Sequence, residues 1–164
     1  TAYERRGSYR AVVFVSILFG LFHFDITNLL GPIFLGLVFG YYVVRTGSIF
    51  AGILAHFLNN AVAEVIQYLW ADPASVGTVS LTWQELLGII GIGVPALAVA
   101  AVLLYLFRHA TEGKTEIIPP IARPRQDVKT VVSHWPVSAV LALYVIMLII
   151  NLFAMMAVKY FIPQ

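Results

Sequence analysis

The chain has 164 residues, 60% of them hydrophobic and only 11% charged, with a mean hydropathy of +0.90. That balance excludes an ordinary soluble domain. Ten basic and eight acidic residues leave a net charge of +2, which by itself says little about partners. There is no cysteine, so disulfides, thiolate nucleophiles and thiolate metal ligands are excluded.

Thr1 to Arg6 is polar and reads as the end of a preceding helix, with Gly7 as its C-cap. The first residue is not Met, and no basic region leads into a signal-peptide core. An N-terminally incomplete chain is therefore expected. Ser8 is placed to N-cap a first helix over 8–24. Asp25, Thr27 and Asn28 make a short polar break, with Asp25 expected to cap a second helix over 29–45 that ends at Gly47. Gly36 and Gly40 form a small-xxx-small face suited to close helix contact. Ser48 is placed to cap a third helix over 48–71.

Trp70 to Gln84, with Pro73 and Gly77, reads as a surface loop. Thr82 followed by Glu85 is a capping box opening a fourth helix over 83–108. Gly88, Gly91, Gly93 and Pro95 make its first half bendable. His109 to Ser133 is charged and carries Pro119, Pro120 and Pro124, which reads as a connecting loop. A fifth helix spans 135–159, with Trp135 and Tyr160 as interface anchors. The uncharged runs Leu86–Phe107 and Trp135–Val158 are each long enough to cross a bilayer. The expected fold is all-α: a polytopic transmembrane bundle of about five membrane helices, with the bilayer as its first partner.

Alternating helices sort the charges. Arg5, Arg6, Arg10, Arg45, Arg108, Lys114, Arg123, Arg125 and Lys129 fall on one side. Lys159, Asp25, Asp72 and Glu85 fall on the other. The asymmetry predicts that the loops near Arg6, Arg45 and Arg108–Lys129 are cytoplasmic. These charges read as a topology signal, and no nucleic-acid partner is expected.

Three polar side chains remain inside apolar helices: His23, His56 and Asn60. Polar or ionisable groups in hydrocarbon are costly, which marks them as candidate site residues. By helical rise they lie roughly 22, 12 and 18 Å along the parallel first and third helices, so one inward cavity can hold all three. His56 and Asn60 share a helix face, and Asn59 is rotated away, free to bond another helix. Glu64 continues that face but sits nearer the helix end, where a solvated role fits. HFLNN lacks the glutamate of HExxH, and two histidines leave a third metal ligand unfilled. Ser16 and Ser48 have no nucleophile-elbow setting. General-base hydrolysis remains, with a histidine and a carboxylate activating water and other donors holding an oxyanion.

Phe19-xxx-His23 and His56-xxx-Asn60, joined by GLVFGYYVVRTGSIFAGILAH, resemble the CPBP family, the Abi proteins and type II CAAX prenyl endopeptidases. The resemblance covers about residues 5 to 64, including the lead-in RRGSYRAVVFVSILFG. It implies that residues 1–71 form the core of an intramembrane protease domain, followed over 72–164 by a loop and two further membrane helices. It implies a metal-independent glutamate-type endopeptidase, with no cofactor and a peptide or membrane protein as substrate. In that family a glutamate and the first histidine activate water, which assigns the base-partner role to His23. His56 and Asn60 are assigned to the oxyanion. The family's EExxxR motif does not occur in this chain, and Glu4-Arg5-Arg6 and Glu64 do not match it. The glutamates are expected before Thr1, or else the chain is a silent relative acting in bacteriocin immunity or on a membrane partner. A small proton-coupled transporter using His23, His56 and Glu64 is a third reading, which the lack of repeated halves disfavours.

Overall fold

The computed structural model describes residues 6–70 and 82–161, without the side chains of 70 and 158–161. The expected helix end before Arg6, most of the loop containing Pro73 and Gly77, and the Lys159 and Tyr160 side chains lie outside that description. All regular elements among the described residues are helices: α1 (Ser8–Leu21), α2 (Leu30–Thr46), α3 (Ile49–Trp70), α4 (Trp83–Ala110), α5 (Pro124–Val132) and α6 (Trp135–Phe161). The five apolar helices read from the sequence are all present. Of these, α3, α4 and α6 are long and apolar enough to cross a membrane singly, whereas α1 and α2 are shorter.

Helices α1 and α2 form the tightest pair, and α3 also packs against α2. The close approach rests on glycine. A Cβ added to Gly36 would stand 2.9 Å from the Cα of Ser16, and one on Gly40 would meet the Val12 side chain at 2.8 Å. Ser16 is fully buried in this seam and donates its hydroxyl to the Val12 carbonyl at 2.6 Å. Helix α6 covers α1 through Leu21, Val140 and Tyr144. Most apolar side chains of α3, α4 and α6 are exposed, as expected where the surrounding medium is hydrocarbon.

Helix ends show where local signals hold. Gly47 closes α2 in the left-handed conformation, φ +66°, as its lack of a Cβ permits. The Thr82–Glu85 capping box opens α4. Ser48 stands directly before α3, its carbonyl accepting from the Ala51 N–H at 3.2 Å.

Three readings are corrected. Ser8 is the first helical residue of α1, and Gly7 is the N-cap. Ser8 is instead buried against residue 118, its N–H donating to the Ile118 carbonyl at 3.0 Å and its hydroxyl accepting from the Ile118 N–H at 3.0 Å. Asp25 does not cap α2, whose N-cap is Leu29 without a side-chain bond. It closes the turn before, accepting from the Thr27 N–H (2.9 Å), the Thr27 hydroxyl (2.7 Å) and the Asn28 N–H (3.3 Å). The stretch 109–133 is not all loop. Pro124 occupies the first position of α5, where its missing N–H and fixed φ suit a helix start.

The chain after α4 straps one end of the bundle. Arg45 at the end of α2 donates to the Thr111 hydroxyl at 3.0 Å and to the Arg108 carbonyl. Thr115 donates to the Val44 carbonyl at 2.9 Å. Arg10 donates to the Ala122 carbonyl. From α5, the fully buried carboxylate of Asp127 accepts from Arg6 at 2.8 Å and from Arg10. The hydrogen-bonding guanidinium of Arg6, with Arg10 beside it, holds the Asp127 carboxyl below the usual carboxylate range. Arg6, Arg10, Arg45 and Arg108, which the helix alternation had grouped on one side, thus meet the strap at one end of the bundle.

Candidate active site

Phe19 organises the polar centre. It lies in the last turn of α1, facing α2 and α3, and its ring touches three neighbours edge-on. His23 lies against it with a centroid separation of 4.8 Å, His56 at 5.1 Å and Phe39 at 6.2 Å. Phe39 of α2 also contacts His56, at 5.7 Å. The two imidazoles, 33 positions apart in sequence, are therefore brought to one phenyl ring. Among the described residues no hydrogen bond joins His23 to His56 or Asn60; what they share is the ring.

The hydrogen bonds distinguish the two imidazoles. Nδ1 of His23 is 2.7 Å from the Phe19 carbonyl. A carbonyl only accepts, so Nδ1 carries the proton and Nε2 of the neutral ring is left as the basic nitrogen. On α3, the Asn59 amide donates to the Asn60 carbonyl oxygen at 3.2 Å. That bond turns the Asn60 amide nitrogen toward His56, where it meets Nε2 at 3.1 Å. An amide N–H donating to Nε2 leaves the neutral His56 ring protonated at Nδ1. His23 thus offers a base, and His56 offers a donor. Asn60 keeps a second N–H for another acceptor.

Asn59 bonds its own neighbour rather than another helix, which the sequence reading had left open. Glu64 is exposed one turn beyond Asn60. The roles of Phe19 and Phe39 were not anticipated. Phe19 belongs to the first motif, but aromatic residues are common in apolar helices and nothing local marks one as a hub. No three His, Asp or Glu side chains converge among the described residues.

An apolar cleft of about 310 Å³ opens from His56 toward the basic end, lined by Val12, Phe19, Phe39, Val43, Gly52 and Ile53 among others. Gly36, Gly40 and Gly52 are among its lining residues, and at each the neighbouring helix comes so close that an added Cβ would stand within 3 Å of Ser16, Val12 or Val43. His56 therefore stands at one end of an otherwise apolar trough, with Asn60 hydrogen-bonded to it and His23 against the same Phe19 ring.

This fold and centre define a multi-pass helical membrane protein with CAAX-protease-like motifs in its N-terminal part. Residues 1–62 match the model of the type II CAAX prenyl endopeptidase Rce1-like family, the same stretch that carries the paired motifs. Residues 63–164 lie outside the match. No curated protein and no solved structure matches the chain.

Proposed function

We propose that this protein is an intramembrane endopeptidase of the CAAX-protease type, cleaving a peptide segment by histidine- and glutamate-assisted attack of water. The observation that carries the reading is the complementary state of the two imidazoles on Phe19. Nε2 of His23 would share the proton of the attacking water with a carboxylate of the EExxxR kind, which the family resemblance implies and residues 1–164 do not contain. His56 Nδ1–H and the second Asn60 N–H would hold the oxyanion of the tetrahedral intermediate, after which the leaving amine takes the proton. The apolar cleft would seat the flanking part of the peptide. The basic end would face the cytoplasm of a cell membrane.

The test uses the protein expressed from its full reading frame, purified into bilayers with a fluorogenic membrane peptide. His56→Ala and Asn60→Ala should each lower kcat by about 10²–10³, the usual cost of one oxyanion donor. His23→Ala should abolish turnover. Unchanged cleavage in His23→Ala protein overturns the proposal.

One observation favours a silent, peptide-binding relative instead. Among the described residues no carboxylate hydrogen-bonds His23 or His56, whereas His109, outside this centre, lies 3.6 Å from the Glu112 carboxylate. That reading expects peptide binding that His56→Ala weakens, with no cleavage by the unaltered protein.

A further inference from the structure

Helix α1 has 14 residues and α2 has 17, about 21 and 25 Å of helix against about 30 Å of bilayer hydrocarbon. Arg6 and Arg10 at the start of α1 and Arg45 at the end of α2 bond to the strap, which holds that end outside the hydrocarbon, because guanidinium groups are costly inside it. The turn 22–29 joining the other ends therefore stops several ångströms short of the far surface. Non-helical backbone at such depth is tolerated only where it is buried in protein or lines a water-filled space. Phe22, His23, Asp25, Ile26, Thr27 and Asn28 in this turn are all exposed. They are not buried in protein.

A pocket of about 320 Å³ lies between this turn and α6, walled by Phe24, Asp25, Thr27, Tyr144, Leu148 and Asn151, among others. Three features of its wall are unusual. Phe24 has φ +52°, a conformation disfavoured for a bulky L-residue and found mostly where structure imposes it. Tyr144 is nine-tenths buried and its hydroxyl has no hydrogen-bond partner. Asn151 is a polar residue in the middle of an uncharged 24-residue run. A buried phenol without a partner is satisfied by ordered water when the site is polar and roomy.

We propose that this pocket is a water-filled vestibule inside the membrane, entered beside α6, which hydrates the recessed turn and hence His23, one residue before Phe24. Its negative wall residue, Asp25, makes it accept small hydrophilic cations ahead of anions. As the supply of hydrolytic water the vestibule rests on the endopeptidase reading. As a hydrated space it does not, and the test reads hydration alone.

The chain contains no cysteine, so single cysteines can be placed directly. Leu148→Cys and Thr27→Cys face the pocket, and Phe153→Cys lies on the opposite side of α6. In proteoliposomes each variant is treated with a cationic and an anionic methanethiosulfonate, which react only with the hydrated thiolate. The pocket cysteines should react at least tenfold faster than Phe153→Cys, with the cationic reagent faster than the anionic. Asp25→Asn should remove that charge preference. Met155→Cys supplies a second α6 position on the pocket wall if Leu148→Cys does not fold. Pocket cysteines that react no faster than Phe153→Cys overturn the proposal. Fast labelling of a protein that cleaves nothing leaves the vestibule standing and removes only the endopeptidase reading.

Discussion

At the scale of the residue, the polar centre depends on a side chain that does no chemistry. Phe19 supplies the surface on which His23 and His56 both rest and also the carbonyl that fixes the His23 tautomer. Truncation would remove the surface beneath both rings while leaving their hydrogen bonds to the Phe19 carbonyl and to Asn60 in place. If the protein is the endopeptidase proposed above, Phe19→Ala is expected to lower cleavage by roughly 10- to 100-fold, since small misplacements of reacting groups are costly. The discriminating readout is the ring-proton resonances of both histidines, which should shift together in Phe19→Ala and remain near their original positions in Phe19→Tyr. A shift confined to His23 would mean that the ring positions only its own helix neighbour.

At the scale of the element, glycine spacing decides how closely α1 and α2 approach. The contact differs in kind at the two positions. At Gly36 the obstacle to a methyl group is Ser16 backbone, whereas at Gly40 it is the Val12 side chain, which can rotate. Gly36→Ala should therefore destabilise by about 1–3 kcal/mol, the range for overpacking, and Gly40→Ala by less. Thermal unfolding in detergent checks the order, and equal losses would show that backbone approach is not the controlling contact. The same comparison shows what was legible in the sequence. The small-xxx-small face, the Gly47 terminus and the Thr82–Glu85 box were readable because each depends on residues within one or two helical turns. Helix α5 was not read, because three prolines and seven charged residues between His109 and Ser133 suggested loop, although Pro124 also suits a helix start. The partner of Ser8, 110 positions away, had no local signature at all. Of the candidate site, the residue types and their spacing were visible, and the shared ring was not.

At the scale of the whole molecule, the strap ties the two parts of the chain together through one buried carboxylate. Asp127 receives both Arg6 and Arg10, so the part matched by the family model is closed by a residue outside it. Breaking a buried pair on one side is worse than never having built it, since the remaining charges lose their partner. Asp127→Asn should lower the melting midpoint by several degrees at neutral pH and expose the 111–132 segment to proteolysis. The pH dependence follows from the direction of its shift. The folded carboxyl titrates below its ordinary value of 3.8, so the unfolded chain binds the proton first as pH falls. The stabilisation is complete above the ordinary value and disappears as pH drops through the folded one. The unaltered protein should thus lose stability in acid below about pH 4, while Asp127→Asn protein lacks that component of the loss. Melting curves at pH 7 and at pH 3 give the comparison. A variant whose midpoint falls between them as far as the unaltered protein's would move the acid sensitivity to other carboxylates and leave the strap held by its backbone bonds.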